Sequence, residues 1–382
     1  MAFHGIRTHE LTDVTRPTEL IPTSTIGLVG TAPNADAAKF PLNVPVRING
    51  SRVEAAELGT DGTLPWSIDG IFDQGSATVV VVRVEEGADF DASKANVIGG
   101  VDANGRRQGI QALYDSAALG ILPRVLIAPG FTHDHAVATE LVSAATRLKA
   151  VVIADGPNST SADAVAYAGN FGSNRLFLVD PAAEVFDTVS QSNIFQPVSA
   201  RVAGLIARVD HQRGWWWSPS NHEIFGIVGT GRPVSYLDGD LNTEAQYLND
   251  NKIATIIRDS GWRLWGNVST ASDPAWQFLC VRRTFDQVLL STARALKWAN
   301  DNPITGGSID EISDQIAAFL ARLRALGAII NGKVWLDPAL NTPSVIANGE
   351  LYVDYDLTPP YPLQTLHLRG HLTTDYIEEL FQ

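Results

Sequence analysis

A single cysteine, Cys280, stands in 382 residues. It cannot form an internal disulfide, so burial and hydrogen bonding must hold the fold, and folding in a reducing cytoplasm is the expectation. Cys280 lies in an apolar run and reads as a core residue. Long hydrophobic stretches are also missing. The strongest, Ala77–Val82, is six residues, against the roughly 20 that a membrane helix needs. The opening residues around Phe3-His4-Gly5 carry no charged-then-apolar signal pattern. Positive charge is scarce: 28 Lys and Arg face 42 Asp and Glu, a net charge of −14, and no Lys- or Arg-rich run occurs. A nucleic-acid binder needs a basic stripe to neutralise phosphates, so the balance argues against that class and reads as solubility.

Complete catalytic motifs are absent as well. Gly226, Gly229 and Gly231 form the nearest glycine cluster, but their spacing matches neither a phosphate loop nor a dinucleotide fingerprint. No Gly-x-Ser-x-Gly elbow is present. His133 and His135 could supply half a metal site, yet no third patterned ligand accompanies them, and a solvated loop is the plainer reading. Asp155 and Asp180 fall at strand ends, where catalytic acids can sit. Capping and turn formation account for them better, since Asp155 opens Asp-Gly-Pro-Asn and Asp180 precedes Pro181. No catalytic, cofactor-binding or metal residues are assigned, and no cofactor is expected.

What is present is 45% hydrophobic residues and a mean hydropathy of +0.01, the profile of a globular chain with room for two or three cores. Residues 1–22 read as an extended arm, kept open by Arg16-Pro17 and Ile21-Pro22. Ser24–Gly30 is the first buried strand. Val46–Ile48 and Ala77–Val84 are strands, Ser51 with Glu54 caps a short helix ending at Gly59, and Ile68–Phe72 is helical. Val101–Arg107 is turn-rich surface. Strand and helix then alternate: Arg124–Ala128, Ala136–Leu148, Ala150–Asp155, Ser161–Phe171 and Arg175–Asp180. That alternation implies βαβ crossovers and a parallel sheet. Pro197–Asp210 is a small-residue helix and Ile224–Val228 a strand. Between them Trp215-Trp216-Trp217 cannot all face one core, so at least one lies at an interface or under a loop.

The central stretch, Asn251–Asn300, reads as strand, turn, strand, turn, strand, helix. Ile253–Ile257, the Trp262–Trp265 run and Trp276–Val281 are the strands, and Thr284 with Gln287 caps the helix. Ser308 with Glu311 caps a second helix over 308–326, with Ile312, Ile316, Phe319, Leu320 and Leu323 on its buried face and Gly327 closing it. Asn331-Gly332 has the chemistry of a hairpin turn. Leu351–Leu357 alternates strictly, as a half-buried strand does. After Pro359-Pro360 and Pro362 comes an extended run, Thr365–Leu372, and a short segment, Asp375–Phe381.

Asn251–Ile257 followed by Gly261-Trp262-Arg263-Leu264-Trp265-Gly266, then Asp273, Trp276, Val281-Arg282-Arg283 and Lys297-Trp298-Ala299, resembles the C-terminal domain of contractile tail sheath proteins. These form the outer cylinders of contractile phage tails and R-type bacteriocins. The resemblance implies a mixed α/β chain in a two-domain sheath architecture: an N-terminal arm (1–22), an outer α/β domain (23–199), an inner domain (200–358) and a C-terminal arm (359–382), with the start of the chain joining the inner domain. It also implies that a strand runs through Asn331-Gly332.

The implied function is structural and not enzymatic. Copies would stack as six-fold rings into a helical sheath around a tail tube, in a metastable extended state, and contract to drive the tube through the target envelope. The implied partners are further copies, the tube protein, the baseplate and the tail terminator, with no nucleic acid and no membrane insertion. The subunit would be made and assembled in the host cytoplasm and would reside in the virion or bacteriocin tail. Both arms would reach neighbouring subunits by strand addition, through Phe3, Ile6, Leu11 and Val14 at one end and Leu366, Leu368 and Leu372 at the other. Arg322, Arg324 and Lys333 would face the tube, although two arginines in a last helical turn also complement the helix dipole. An α/β enzyme of unknown class is the competing reading, carried by the βαβ segment alone, and a tube or capsid subunit is a third.

Overall fold

A computed structural model describes residues 18–381. The N-terminal arm residues Phe3, Ile6, Leu11 and Val14 lie outside the described residues. Strands β1 (Ile26–Thr31), β2 (Pro45–Asn49) and β3 (Thr78–Val84) are joined by helices α1 (Arg52–Ala55) and α2 (Leu64–Gln74). Helix α3 (Phe90–Ile98), a hairpin of β4 (Gly100–Val101) and β5 (Arg107–Gln108), and a 3-10 stretch over Gly109–Leu119 follow. The parallel part continues through β6 (Val125–Ile127), α4 (His135–Leu148), β7 (Val151–Asp155), α5 (Ser161–Ala168) and β8 (Leu176–Val179). Next come β9 (Ala183–Asp187), β10 (Ser192–Gln196), α6 (Ser199–Gln212), β11 (Gly229–Thr230), α7 (Glu244–Asp250), β12 (Ile253–Arg258) and β13 (Trp262–Trp265). The chain closes with α8 (Leu279–Ala295), α9 (Gly306–Ala325), β14 (Asn331–Trp335), α10 (Pro343–Ala347) and β15 (Asp354–Thr358).

Eight strands form one sheet in the order β13-β12-β8-β7-β6-β1-β3-β2. The inner six run parallel, and β2 and β13 close the two edges antiparallel. Its strands are apolar on both sides, as a sheet covered by helices on both faces requires. In β3, Val79 and Val81 enter one core with Ile68 and Ile71 of α2 and Leu205 and Ile206 of α6. Val80, Val82 and Val84 enter the opposite core with Val97 of α3 and Leu141 of α4. The α2–α6 contact is close: a Cβ on Gly204 would stand 2.5 Å from the Ile71 carbonyl oxygen.

β12 and β13 belong to this sheet, so the division at 199/200 is not a break in the core. Residues on both sides of it share one sheet because β12 pairs in parallel with β8, placing Ile253 beside Leu178. A separate, smaller core gathers Trp215, Val288 of α8, and Ile312, Ile316, Phe319, Leu320 and Leu323 of α9. Val334, Tyr355 and Leu357 of the two-stranded β14–β15 sheet pack against it.

Several local expectations are corrected. The run Trp276–Val281 is not a strand: Pro274–Trp276 is a 3-10 turn and α8 begins at Leu279, so Cys280 is buried in a helix. The first turn of α8 is buried on all sides, and an apolar run without period cannot be told from a strand by pattern. Thr284 therefore lies inside α8 and does not cap it. The cap of α9 is Thr305, whose hydroxyl accepts from the Ser308 amide while the Ser308 hydroxyl accepts from the Thr305 amide. Ile224–Val228 is irregular, and only Gly229–Thr230 pairs with β9. A strand does run through Asn331-Gly332, with Gly332 opposite Leu357. Thr365–Leu372 forms no ladder with the described residues, and Asp375–Phe381 is 3-10.

Candidate functional site: the arm roots and an open hairpin

Among the described residues the hairpin β14–β15 is a two-stranded sheet with no further strand paired to it. Its inner face (Val334, Tyr355, Leu357) rests on α9, and its outer face carries Asn331, Lys333, Trp335, Asp356 and Thr358. Among the described residues neither outer edge is paired. Two strands alone are marginal in water, and each edge presents a row of free backbone donors and acceptors. Gly332 brings the hairpin close to α9: a Cβ there would meet the Asp356 carbonyl at 2.6 Å and the Leu320 methyls at 3.4 Å.

The C-terminal arm leaves from β15. Its root is held by the Tyr361 ring, edge-on to Phe278 at 6.0 Å, and by Gln364, whose Nε2 donates to Asn267 Oδ1 at 2.9 Å. From Thr365 to Ile377 the side chains are exposed: Leu366 by 66%, Leu368 by 85% and Leu372 by 101%. These leucines share one parity with Gly370, while Thr365, His367, Arg369, His371 and Thr373 hold the other. That alternation is the pattern of a half-buried strand, present where the described residues pair no sheet with it. Trp216, Trp217 and the arm root line an open groove of about 920 Å³. Trp215 and Trp216 join the α9 core, edge to face at 4.8 Å, and Trp217 is left 44% exposed beneath Arg213, as the crowding of three tryptophans required.

The root of the N-terminal arm is anchored by α8 and α9. Arg283 donates to both oxygens of Asp210 at 2.9 and 2.5 Å and to the Thr23 carbonyl at 3.3 Å, and the Thr23 hydroxyl donates to Asp210 at 2.8 Å. Gln287 donates to the Ile21 carbonyl at 2.7 Å, and the Ile21 amide donates to Ser291 Oγ at 3.4 Å. Arg322 donates to the Thr18 carbonyl at 3.1 Å. Sequence reasoning missed the Arg283–Asp210 clamp, because its members lie 73 residues apart and carry no local signal. The neighbouring Arg282 joins Arg175 on Asp286, a buried pair of forks that ties α8 to the strand-entry end of the sheet.

The three cations considered for a tube contact occupy different settings. Arg322 serves the arm root. Lys333 lies over the Trp335 ring at 5.1 Å and 3.7 Å from Asp356, across the exposed hairpin face. Arg324 is exposed and makes no ion pair among the described residues.

The residues considered for chemistry each have capping, pairing or stacking partners. Asp155 Oδ1 accepts from the Ser199 amide at 2.8 Å and Oδ2 from its hydroxyl at 2.5 Å, so the carboxylate caps α6 from the end of β7. Thr132 Oγ1 adds a third donor at 3.1 Å. Full burial pushes this carboxyl up to about 6, against the opposing pull of the Ser199 and Thr132 hydrogen bonds. Asp180 accepts from the Asn158 amide at 2.9 Å and pairs with Arg232. His133 stacks on Phe90 at 5.2 Å and His135 on Phe171 at 5.0 Å. Among the described residues no group of three His, Cys, Asp or Glu side chains could hold a metal ion.

An α/β/α sheet with a small open-edged appendage and an exposed, patterned arm is the architecture of an assembling subunit. Family models agree along the chain: tail sheath protein Gp18 domain III N-terminal region over residues 23–84, phage tail sheath protein central domain over 107–270, and phage tail sheath C-terminal domain over 271–373. A prophage major tail sheath protein of Pseudomonas aeruginosa strain UCBPP-PA14 is 41% identical over 380 residues, covering 99% of this chain and 98% of that one. The chain belongs to the phage tail sheath family. The tail sheath protein of Escherichia phage P2 is 34% identical over 385 residues, covering 99% and 97%. In fold, this sheath subunit matches the helical sheath of the anti-feeding prophage in its contracted state with a TM-score of 0.72 at 21% identity, covering 98% and 100%. It matches the PVC sheath of an extracellular contractile injection system with a TM-score of 0.71 at 18% identity, covering 99% and 99%. The sheath subunit is thus a structural component of a contractile phage-type tail, repeated in a helical assembly of copies, and the family is a structural one.

Proposed function

We propose that the C-terminal arm of one sheath subunit adds as a strand to the open β14–β15 hairpin of a neighbour, with the N-terminal arm on the other free edge. The observation that carries this reading is the strand-patterned run of exposed leucines on a chain whose hairpin has, among the described residues, two unpaired edges. Laid beside the hairpin, Leu366, Leu368 and Leu372 extend the apolar face already formed by Val334, Tyr355 and Leu357 over α9. Burial of three leucines contributes about 5–8 kcal/mol gross, and each backbone hydrogen bond adds about 1 kcal/mol net. Such a joint holds neighbours together while their rigid bodies turn, because the linker bends and the ladder does not. The turning transition itself needs no enzymatic turnover by the subunit: the energy resides in the packing of the assembled state.

The tube is the partner of the α9 end. Arg324, with Lys333, supplies exposed positive charge there, and polar contacts suit a surface that must grip the tube and then let go. Arg322 belongs to the arm root. The baseplate and the terminator hold the two ends of the cylinder, and assembly takes place in the host cytoplasm. Deleting 363–382 tests the arm reading: the subunit should stay folded and soluble and form no sheath. Truncated protein that still builds contractile tubes would overturn it.

A further inference from the structure

The hairpin β9–β10 is inserted between β8 and α6, β11 returns to the other edge of β9 after α6, and the inner face (Ala183, Val185, Ile194) packs on the main core. Its outer face is unusually apolar for a surface hairpin. Phe186 is 56% exposed, Phe195 58%, and Val189 in the connecting turn 87%. The pairing puts Phe186 opposite Asn193 and Phe195 opposite Glu184, so both rings stand on one face. The one charge between them, Glu184, is occupied by the Asn193 amide at 3.1 Å. The outer edge of β10 is also unpaired among the described residues. Its sequence, Ser-Asn-Ile-Phe-Gln, contains no charge and no proline, the usual devices that keep an edge from recruiting another chain.

We infer that this face and edge are a contact with a second copy of the chain in the sheath. Two arguments select a copy as the occupant. The exposed apolar area is on the order of 300 Å², from two half-exposed rings and a valine. A stable two-body complex needs about 800 Å² per partner, so this patch cannot hold a dimer in solution. It suits a contact that forms when many copies are already held in a lattice by other joints, as in a helical assembly. Charge points the same way. Copies that each carry −14 repel one another, and surfaces they share favour the few stretches without charge. The inference rests on membership of the sheath family and not on the arm reading.

The chain's chemistry makes the test clean. Cys280 is buried and its thiol is pushed up to about 11 by burial, so a maleimide has no ready native target. In a full-length Val189→Cys subunit, labelling should be fast in the soluble form and at least tenfold slower in assembled sheath. A folded Val189→Cys subunit that no longer assembles supports the contact equally. Labelling rates within twofold of each other would overturn it, and would leave the face to some other partner. A Phe186→Ser/Phe195→Ser subunit should keep its melting temperature, since both rings are outside the core, and require a severalfold higher concentration to form sheath. Unchanged concentration dependence would likewise count against the contact. Truncated-arm protein that still assembles leaves this experiment intact, so the two readings fail separately.

Discussion

Two buried charges, Asp210 and Asp155, carry the residue-scale logic. Asp210 has a side chain only 4% exposed, and Arg283 is the cation paired with it. Arg283→Ala leaves that buried charge without its counter-charge, with only the Thr23 hydroxyl still donating to it, and frees the Thr23 carbonyl, so a loss of about 3–5 kcal/mol in chemical denaturation is expected. A loss below 1 kcal/mol would show that the clamp is not structural. Asp155 acts in the opposite sense. Its folded value, about 6, lies above the ordinary 3.8, so the native state holds a proton that the unfolded chain has released. Stability therefore falls as pH rises from about 4 to 6, and the penalty persists above that window. Asp155→Asn keeps an acceptor for the Ser199 amide and removes the titration. The difference in stability between the parent and this variant should change across pH 4–6 and be flat outside it. A flat difference throughout would contradict the assignment. Arg322 and Arg324 separate by setting: Arg322→Ala should speed amide exchange at residues 18–21, and Arg324→Ala should leave it unchanged. Equal effects would undo the distinction drawn between them.

At the scale of elements, pattern carried the parallel sheet and broke down where burial became uniform. The alternation from Arg124 to Asp180 gave β6, α4, β7, α5 and β8 within a few residues, because each helix has one apolar face and each strand is a short apolar run. The start of α8 was illegible, since Phe278–Val281 is apolar all round. The cap of α9 was placed one turn too far along because Ser308 takes part in the cap as the third residue and not as the first. The open hairpin was half legible: strict alternation marked β15, while the strand through Asn331-Gly332 came from family resemblance against a turn-like dipeptide. Long-range polar clamps such as Arg283–Asp210 leave no periodic trace at all. Two predictions belong here. Gly204→Ala drives a methyl into the Ile71 carbonyl between α2 and α6, and should cost about 1–3 kcal/mol. A neutral result would mean that the helices separate freely. Deleting 363–382 should leave the monomer melting temperature within a degree or two, because Leu366, Leu368 and Leu372 contribute nothing to its own core. A large drop would mean that the arm folds back onto its subunit.

Across the whole molecule, one sheet of eight strands carries the β14–β15 hairpin and the β9–β10 face as appendages, and these, with the arms, are the parts proposed to meet other copies. The sheet's cores are closed and mainly apolar, with the buried charges held in hydrogen-bonded pairs and caps such as Arg175–Asp286 and Asp155–Ser199, which suits a body that is moved without being reshaped. The expected separation into outer and inner domains at residue 200 did not anticipate this, because β12 and β13 return to the sheet after a long excursion. On the proposed reading, assembly completes unfinished sheets between copies. The most direct measurement is a cryo-EM map of assembled sheath at a resolution that traces the backbone. Residues 363–372 should appear as a strand on a free edge of the β14–β15 hairpin of a different copy, with Leu366, Leu368 and Leu372 facing that copy's α9. An arm paired with its own hairpin, or left free of any sheet, would contradict the account.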